Sequence, residues 1–210
     1  MSEGAIVVWD VGQVLIEWRP EPFYDRVLGP ERRAALFAAV DMYGMNLRVD
    51  AGAPWREEVA ALAARHPEWS DAVMLWHERW IETLGPPIER SGRLMEALGA
   101  RGVPCWALSN FGRETWAVAR ERFPILDRFD RAFVSGRLGL VKPDPAIYAA
   151  VEEAAAAEGV GPGGLLFADD RAENVEAAAR RGWRAHLFGG PEGWAARLVA
   201  EGLLTDGEAA

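Results

Sequence analysis

Five short apolar runs, at residues 5–9, 103–108, 131–135, 164–168 and 184–188, are each bounded by glycine, proline or charged residues and read as strands. Between and after them lie stretches with helical spacing, at 90–101, 112–123, 144–158, 171–181 and 192–203. Asp144 followed by Pro145 has the form of an N-cap with proline at the first helical position. Consecutive strands joined through a helix run parallel. The alternation therefore predicts an α/β fold, a parallel sheet with helices on both faces.

Residues 17–88 break this rhythm, because nothing there resembles a strand while helical spacing recurs. Trp55, Val59 and Leu62 fall on one helical face, as do Val73, Trp76, Trp80 and Leu84. The prolines of "EWRPEP" at 17–22 and "GPPI" at 85–88 disfavour helix in the residues before them and mark the two ends of the segment. The expectation is a helical cap over 17–88 inserted into a core made of 1–16 and 89–210. Of the tryptophans in this segment, Trp55, Trp69, Trp76 and Trp80 read chiefly as packing.

With 210 residues and 50% hydrophobic content the chain can bury a core. Thirty-two acidic against 23 basic residues give a formal charge of −9, with no basic run, which argues against nucleic acid or an anionic membrane as partner. No apolar stretch reaches the roughly 18 residues of a membrane span, and the start "MSEGAIVVWD" has no basic leader, so a cytoplasmic location is expected. The single cysteine, Cys105 in "VPCWAL", reads as a buried thiol. Lys142 is the one lysine among 23 basic residues, in a chain that otherwise uses arginine. Lysine is a compact point charge able to sit between a carboxylate and a phosphate, where the planar arginine fork does not fit.

In an open parallel sheet, ligands bind beyond the C-terminal ends of the strands. The first run ends at Asp10, the second at Ser109 and Asn110, the third leads into "GRLGLVKPD" with Lys142, and the fourth ends at Asp169 and Asp170. Carboxylates gathered at one place repel unless a cation lies among them. A hard divalent ion with oxygen ligands, most simply Mg²⁺, meets that need and characteristically binds one or two carboxylates together with substrate phosphate oxygens. Ser109, the adjacent amides and Lys142 then suit a phosphoryl group. Asp10 suits a nucleophile that forms an aspartyl-phosphate which water later hydrolyses.

With these residues in place the chain resembles the haloacid dehalogenase superfamily of hydrolases over nearly its full length. "VVWDVGQVL" is similar to the first family motif, "WALSN" to the second, "GLVKPDPAIY" to the third and "LLFADDRAENVEAA" to the fourth. The resemblance implies a Rossmann-like core with the helical cap between the first two motifs. It implies Asp10 as nucleophile and Mg²⁺ ligand, the Gly12 carbonyl as a second ligand, and Asp170 and Asp169 as further ligands, the latter directly or through water. Ser109, Asn110 and Lys142 would bind the phosphoryl group, with Asn174 in support.

Gly12 departs from the D-x-D of the family's phosphatases, whose second aspartate protonates the leaving oxygen and then activates water. General acid–base help is typically worth about 10²–10⁴ in rate. Three accounts compete: a substrate with a good leaving group, such as an anomeric sugar phosphate or an acyl phosphate; a replacement acid from the linker, such as Glu17; or loss of catalysis. A bacterial branch that reads D-x-G-[NGQ]-V, and includes an α-glucose-1-phosphate phosphatase, is the most similar and favours the first. The main expectation is a Mg²⁺-dependent phosphatase acting on a small anionic phosphomonoester. The alternatives are a metal-independent 2-haloacid dehalogenase, which also lacks the second aspartate, and a non-catalytic phosphate sensor or scaffold. Trp18, Arg19, Asn46, Arg48 and Trp76 are candidate substrate contacts from the cap side, whereas His66, His77 and His186 lack metal-ligand spacing. The terminal "GEAA" reads as frayed.

Overall fold

The computed structural model describes residues 4–210, so the first three residues of the expected core segment lie outside it. In chain order the strands are β1 (Ile6–Trp9), β2 (Ile16–Trp18), β3 (Leu84–Pro87), β4 (Cys105–Ser109), β5 (Arg131–Val134), β6 (Leu165–Asp169) and β7 (Arg184–Leu187). Five of them form one parallel sheet in the order β5-β4-β1-β6-β7. β1 is central, the chain crossing first to one side of it and then to the other, which opens a crevice beyond its C-terminal end.

The helices are α1 (Pro20–Leu28), α2 (Pro30–Ala39), α3 (Met42–Asp50), α4 (Trp55–Arg65), α5 (Ser70–Glu78), α6 (Glu89–Ala100), α7 (Arg113–Arg122), α8 (Ser135–Leu138), α9 (Pro145–Ala157), α10 (Ala172–Arg180), α11 (Pro191–Ala200) and α12 (Asp206–Ala209). Successive strand side chains point to opposite faces, and here both faces are covered. Ile6 and Val8 pack with Phe167 against Ile147, Tyr148 and Val151 of α9. Val7 and Trp9 pack on the other side against Leu94 and Leu98 of α6 and Trp194 of α11. Phe167 is wholly buried, and truncating it to alanine would cost on the order of 3–5 kcal/mol. Asp144 caps α9 by accepting the Ala146 amide at 2.8 Å, with Pro145 as first helical residue.

The inserted segment differs from expectation in two places. β2 and β3 pair antiparallel, Ile16 opposite Pro87 and Trp18 opposite Leu84, so the chain leaves and re-enters the core through a two-stranded ribbon. "LGPP" shows no strand alternation, but both strands of a ribbon are edges, where proline is tolerated. The apolar stripe from Val73 to Leu84 is also not one helix. α5 stops at Glu78, Trp80–Thr83 form a 3₁₀ turn closed by Thr83 Oγ1 donating to the Trp80 carbonyl at 2.7 Å, and Leu84 opens β3. Trp55, Val59 and Leu62 do share the buried face of α4. The hydrophobic cluster on the α6 side continues unbroken into α1–α5, which ties the inserted helices to the sheet.

The terminal "GEAA" is not frayed. Thr205 and Glu208 form a capping box at the start of α12, Arg101 pairs with Glu208 at 2.8 Å, and Arg90 donates to the Ala209 carbonyl at 3.1 Å. Cys105 is buried, and burial pushes its thiol up to about 12. Among the described residues no helix is long and apolar enough to cross a membrane.

Candidate active site

The ends of β1, β4 and β6 lie side by side, so Asp10, Ser109 and Asp169 converge at the central crevice. Asp10 is set by its backbone, whose amide continues the ladder by donating to the Ala168 carbonyl at 2.9 Å. Its Oδ1 accepts three donors: the Val11 amide at 2.7 Å, the Ser109 hydroxyl at 2.9 Å and the Lys142 ammonium at 3.0 Å. That oxygen is saturated. Oδ2 is the one left for another partner.

Lys142 reaches the crevice from the loop after α8. Its ammonium donates to Asp169 Oδ2 at 2.6 Å and to the Leu108 carbonyl at 2.8 Å. The loop is held by Asn110, whose Nδ2 donates to the Lys142 carbonyl at 2.9 Å while its Oδ1 accepts the Lys142 amide at 2.8 Å. The Asn110 side chain is thus spent on positioning Lys142. Asp169 is fully buried and receives Lys142, the Arg171 amide at 2.8 Å and Asn174 Nδ2 at 3.0 and 3.1 Å. Asp170, the next residue, is more open and lines the cavity.

The electrostatics leave the cluster short of positive charge. Asp10, Asp169 and Asp170 bring one ligand atom each to within 4.8 Å of one another. Burial pushes Asp10 up to about 6, against the Lys142 ammonium and with the Asp169 charge. Asp170 is also raised, by burial and by Asp169. Lys142 is lowered by burial but raised more by its two carboxylates, and the net direction is upward, so it stays protonated. One ammonium does not neutralise three carboxylates. The buried Oδ1 of Asn174 beside them has no hydrogen-bond partner. An all-oxygen donor set with an orphaned acceptor fits a hard divalent cation such as Mg²⁺.

A cavity of about 390 Å³ opens over this cluster. Gly12 and Gln13 line it next to Asp10, and the inserted segment supplies Trp18, Tyr43, Asn46, Leu47, Asp50, Trp80 and Leu84. Of the cap-side candidates, Trp18 and Asn46 therefore reach the wall. Arg19 pairs with Glu17 at 2.6 Å and Arg48 with Glu58 at 2.7 Å, and neither they nor Glu17 line the cavity. Trp76 is fully buried behind the wall and donates its indole N–H to Asn46 Oδ1 at 3.2 Å. His77 packs on Trp55 and His186 on Trp194, away from the cavity.

Sequence reasoning missed Asp50, Tyr43, Phe111 and Arg171 on the wall. For Asp50 a signal existed: it is four residues after Asn46 on α3, hence on the same face. It also missed the form of Gln13, which takes a left-handed backbone (φ 59°) and exchanges amide hydrogen bonds of 3.2 and 3.4 Å with the backbone of Trp18, tying the nucleophile loop to the ribbon.

Several solved structures share this fold. A HAD family enzyme from Bacteroides thetaiotaomicron superposes with a TM-score of 0.65 at 21% identity, covering 88% of this chain and 93% of that one. The same enzyme in complex with magnesium and inorganic phosphate gives 0.63 at 21% identity, over 87% and 93%. An L-2-haloacid dehalogenase from Xanthobacter autotrophicus with chloropropionic acid covalently bound gives 0.61 at 19% identity, over 96% and 84%. At these identities the likeness is one of fold. The family model for haloacid dehalogenase-like hydrolases matches residues 10–182, from the nucleophile candidate through the fourth strand end and α10, and the chain belongs to that family of hydrolases.

Proposed function

We propose that the protein is a Mg²⁺-dependent phosphatase that hydrolyses a small phosphomonoester through an aspartyl-phosphate on Asp10. The observation that carries this reading is the cluster of Asp10, Asp169 and Asp170, whose ligand atoms lie within 4.8 Å of one another beside a single ammonium. Asp10, Asp170 and the Gly12 carbonyl would hold the ion, with Asp169 acting directly or through water and Asn174 Oδ1 in support. Bound there, Mg²⁺ supplies the positive charge that offsets the phosphoryl oxygens.

The side chains divide the remaining work. Oδ2 of Asp10 carries none of the three donors and would attack phosphorus, while Oδ1 would turn to the ion as two of its donors, Ser109 and Lys142, shift away. Ser109 and Lys142 can shift part of their hydrogen bonding from Asp10 to phosphoryl oxygens as charge moves onto them. Asn110 keeps Lys142 in register through the paired amide contact. Asp169 holds the ammonium from behind.

The charge of the cavity wall supports a phosphoester over a haloacid. A 2-haloacid brings its own carboxylate, and among the described residues the inserted segment places no arginine or lysine on the wall to receive it. The one guanidinium there, Arg171, belongs to the core and pairs with Glu173 at 2.5 Å. The absence of cap-side cations also favours a substrate whose body is uncharged, such as a sugar monophosphate.

Release of phosphate from p-nitrophenyl phosphate, with millimolar Mg²⁺ or with EDTA, beside chloride release from L-2-chloropropionate, tests the reading. Metal-dependent phosphate release is the expected result. Metal-independent chloride release would make the protein a dehalogenase, and silence in both assays would favour a non-catalytic phosphate sensor.

A further inference from the structure

If the phosphatase reading holds and the leaving group needs a proton, another residue must do the work of the side chain that the motif lacks at Gly12, and Glu17 is turned away into an ion pair with Arg19. We infer that Asp50, at the C-terminal end of α3, is the general acid and base of this site. It lines the same cavity as Asp10, is 9% exposed, and is the one carboxyl that the inserted helices contribute to that wall.

Its placement is specific. Asn46 Nδ2 donates to Asp50 Oδ2 at 2.8 Å and is itself oriented by the Trp76 indole. Asp50 is also anchored to the core: its backbone carbonyl accepts the Ser135 hydroxyl at 2.6 Å, and the same hydroxyl oxygen accepts the Phe111 amide at 2.8 Å. The approach is close enough to demand glycine, since a β-carbon at Gly112 would lie 2.7 Å from Val49 Cγ1. The acid therefore holds a fixed position relative to β4 and the Ser109–Asn110 turn. It does not ride on a loose lid.

Its chemistry suits the task. Burial pushes Asp50 up to about 7, with the Gly112 amide opposing and the Asp10 charge adding, so a proton is available near neutrality and can be regained. Balanced over the two steps, Asp10 Oδ2 forms a bond to phosphorus as the ester P–O bond breaks. The leaving oxygen takes the bond pair and the Asp50 proton, and departs as an alcohol. Water then attacks the phosphorus of the aspartyl-phosphate and gives its proton to the Asp50 carboxylate. The pair of the breaking P–O bond returns to Asp10, and inorganic phosphate is free.

The test compares Asp50→Asn with the wild type in Mg²⁺ on p-nitrophenyl phosphate, whose leaving group needs no proton, and on ethyl phosphate, whose leaving group does. The quantity to compare is kcat/KM, which covers binding and transfer to Asp10 but not the later hydrolysis. It should fall by about 10²–10⁴ on ethyl phosphate and by less than about tenfold on p-nitrophenyl phosphate. The second variant, Asp50→Asn with Gly12→Asp, should recover at least tenfold on ethyl phosphate, because residue 12 lines the cavity next to Asp10 and a β-carbon added there meets nothing within 4 Å. Rescue of that kind is not open to a residue that merely holds the fold. Equal losses on both esters with no rescue would overturn the assignment while leaving the phosphatase reading intact. A wild type that hydrolyses neither ester, with or without metal, would remove the reading and this role together.

Discussion

The Lys142 ammonium lies 2.6 Å from Asp169 Oδ2 in a pair whose side chains are 1% and 0% exposed. Removing one partner of a buried pair leaves the other charge uncompensated, typically at a cost of about 3–5 kcal/mol. Lys142→Met should destabilise the fold by that amount in urea unfolding with EDTA at neutral pH. Lys142→Arg should lose turnover as well, since the planar fork has no room between Asp10, Asp169 and the Leu108 carbonyl. A Lys142→Met protein within 1 kcal/mol of the wild type, or an Arg variant with ordinary activity, would show that the ammonium is not the centre of this network.

The three-carboxylate cluster should report metal without any substrate. A cation that binds only the folded state stabilises it by RT ln(1 + [L]/Kd), about 2.7 kcal/mol at a hundredfold excess over Kd. Millimolar Mg²⁺ should therefore raise the Tm of the wild type relative to EDTA. Asp170→Asn should abolish most of the rise, because Asp170 is the acid of the pair at the end of β6 that opens to the cavity. Thermal unfolding monitored by circular dichroism decides it, and an equal rise in both proteins would place the ion elsewhere.

What could be read in advance follows from how local each feature is. Asp10, Ser109 and Asp169 stand at the ends of short apolar strands, so hydrophobic pattern locates them at the C-terminal end of a parallel sheet. Lys142 is legible because it is chemically unlike every other basic residue of the chain. The β2–β3 ribbon is not legible, since "LGPP" becomes a strand only by pairing with residues 16–18 across the whole inserted segment. Asp50 is half legible: its spacing puts it on the Asn46 face of α3, but its position over the core depends on Ser135, 85 residues further along, and nothing near it in sequence announces that contact.

Gln13 links the nucleophile loop to that ribbon while holding φ at 59°. A left-handed backbone is costly for β-branched residues and free for glycine. Gln13→Val should destabilise by about 1–3 kcal/mol, whereas Gln13→Gly should stay within about 1 kcal/mol of the wild type, its relieved strain offsetting the lost contacts with Trp18. Urea midpoints for the two variants check this, and similar losses in both would assign the cost to the side-chain contacts alone.

Asp50 also makes a prediction about stability against pH. Its folded pKa of about 7 lies above the usual carboxylate value near 3.9, so the folded state holds the proton more tightly than the unfolded chain does. A raised pKa of this kind costs nothing below about pH 4, and the penalty grows as pH rises towards 7, by up to about 1.4 kcal/mol per unit, before levelling off. Asp10 adds a change of the same sign, its folded value being about 6. The informative quantity is therefore the difference between the wild type and Asp50→Asn, both in EDTA, which cancels the part due to Asp10. Across pH 4–7 the wild type should lose stability relative to the variant, and above pH 8 the gap should be constant. A flat difference over the whole range would mean that Asp50 is ionised throughout, and an acid without a proton at neutral pH cannot protonate a leaving group.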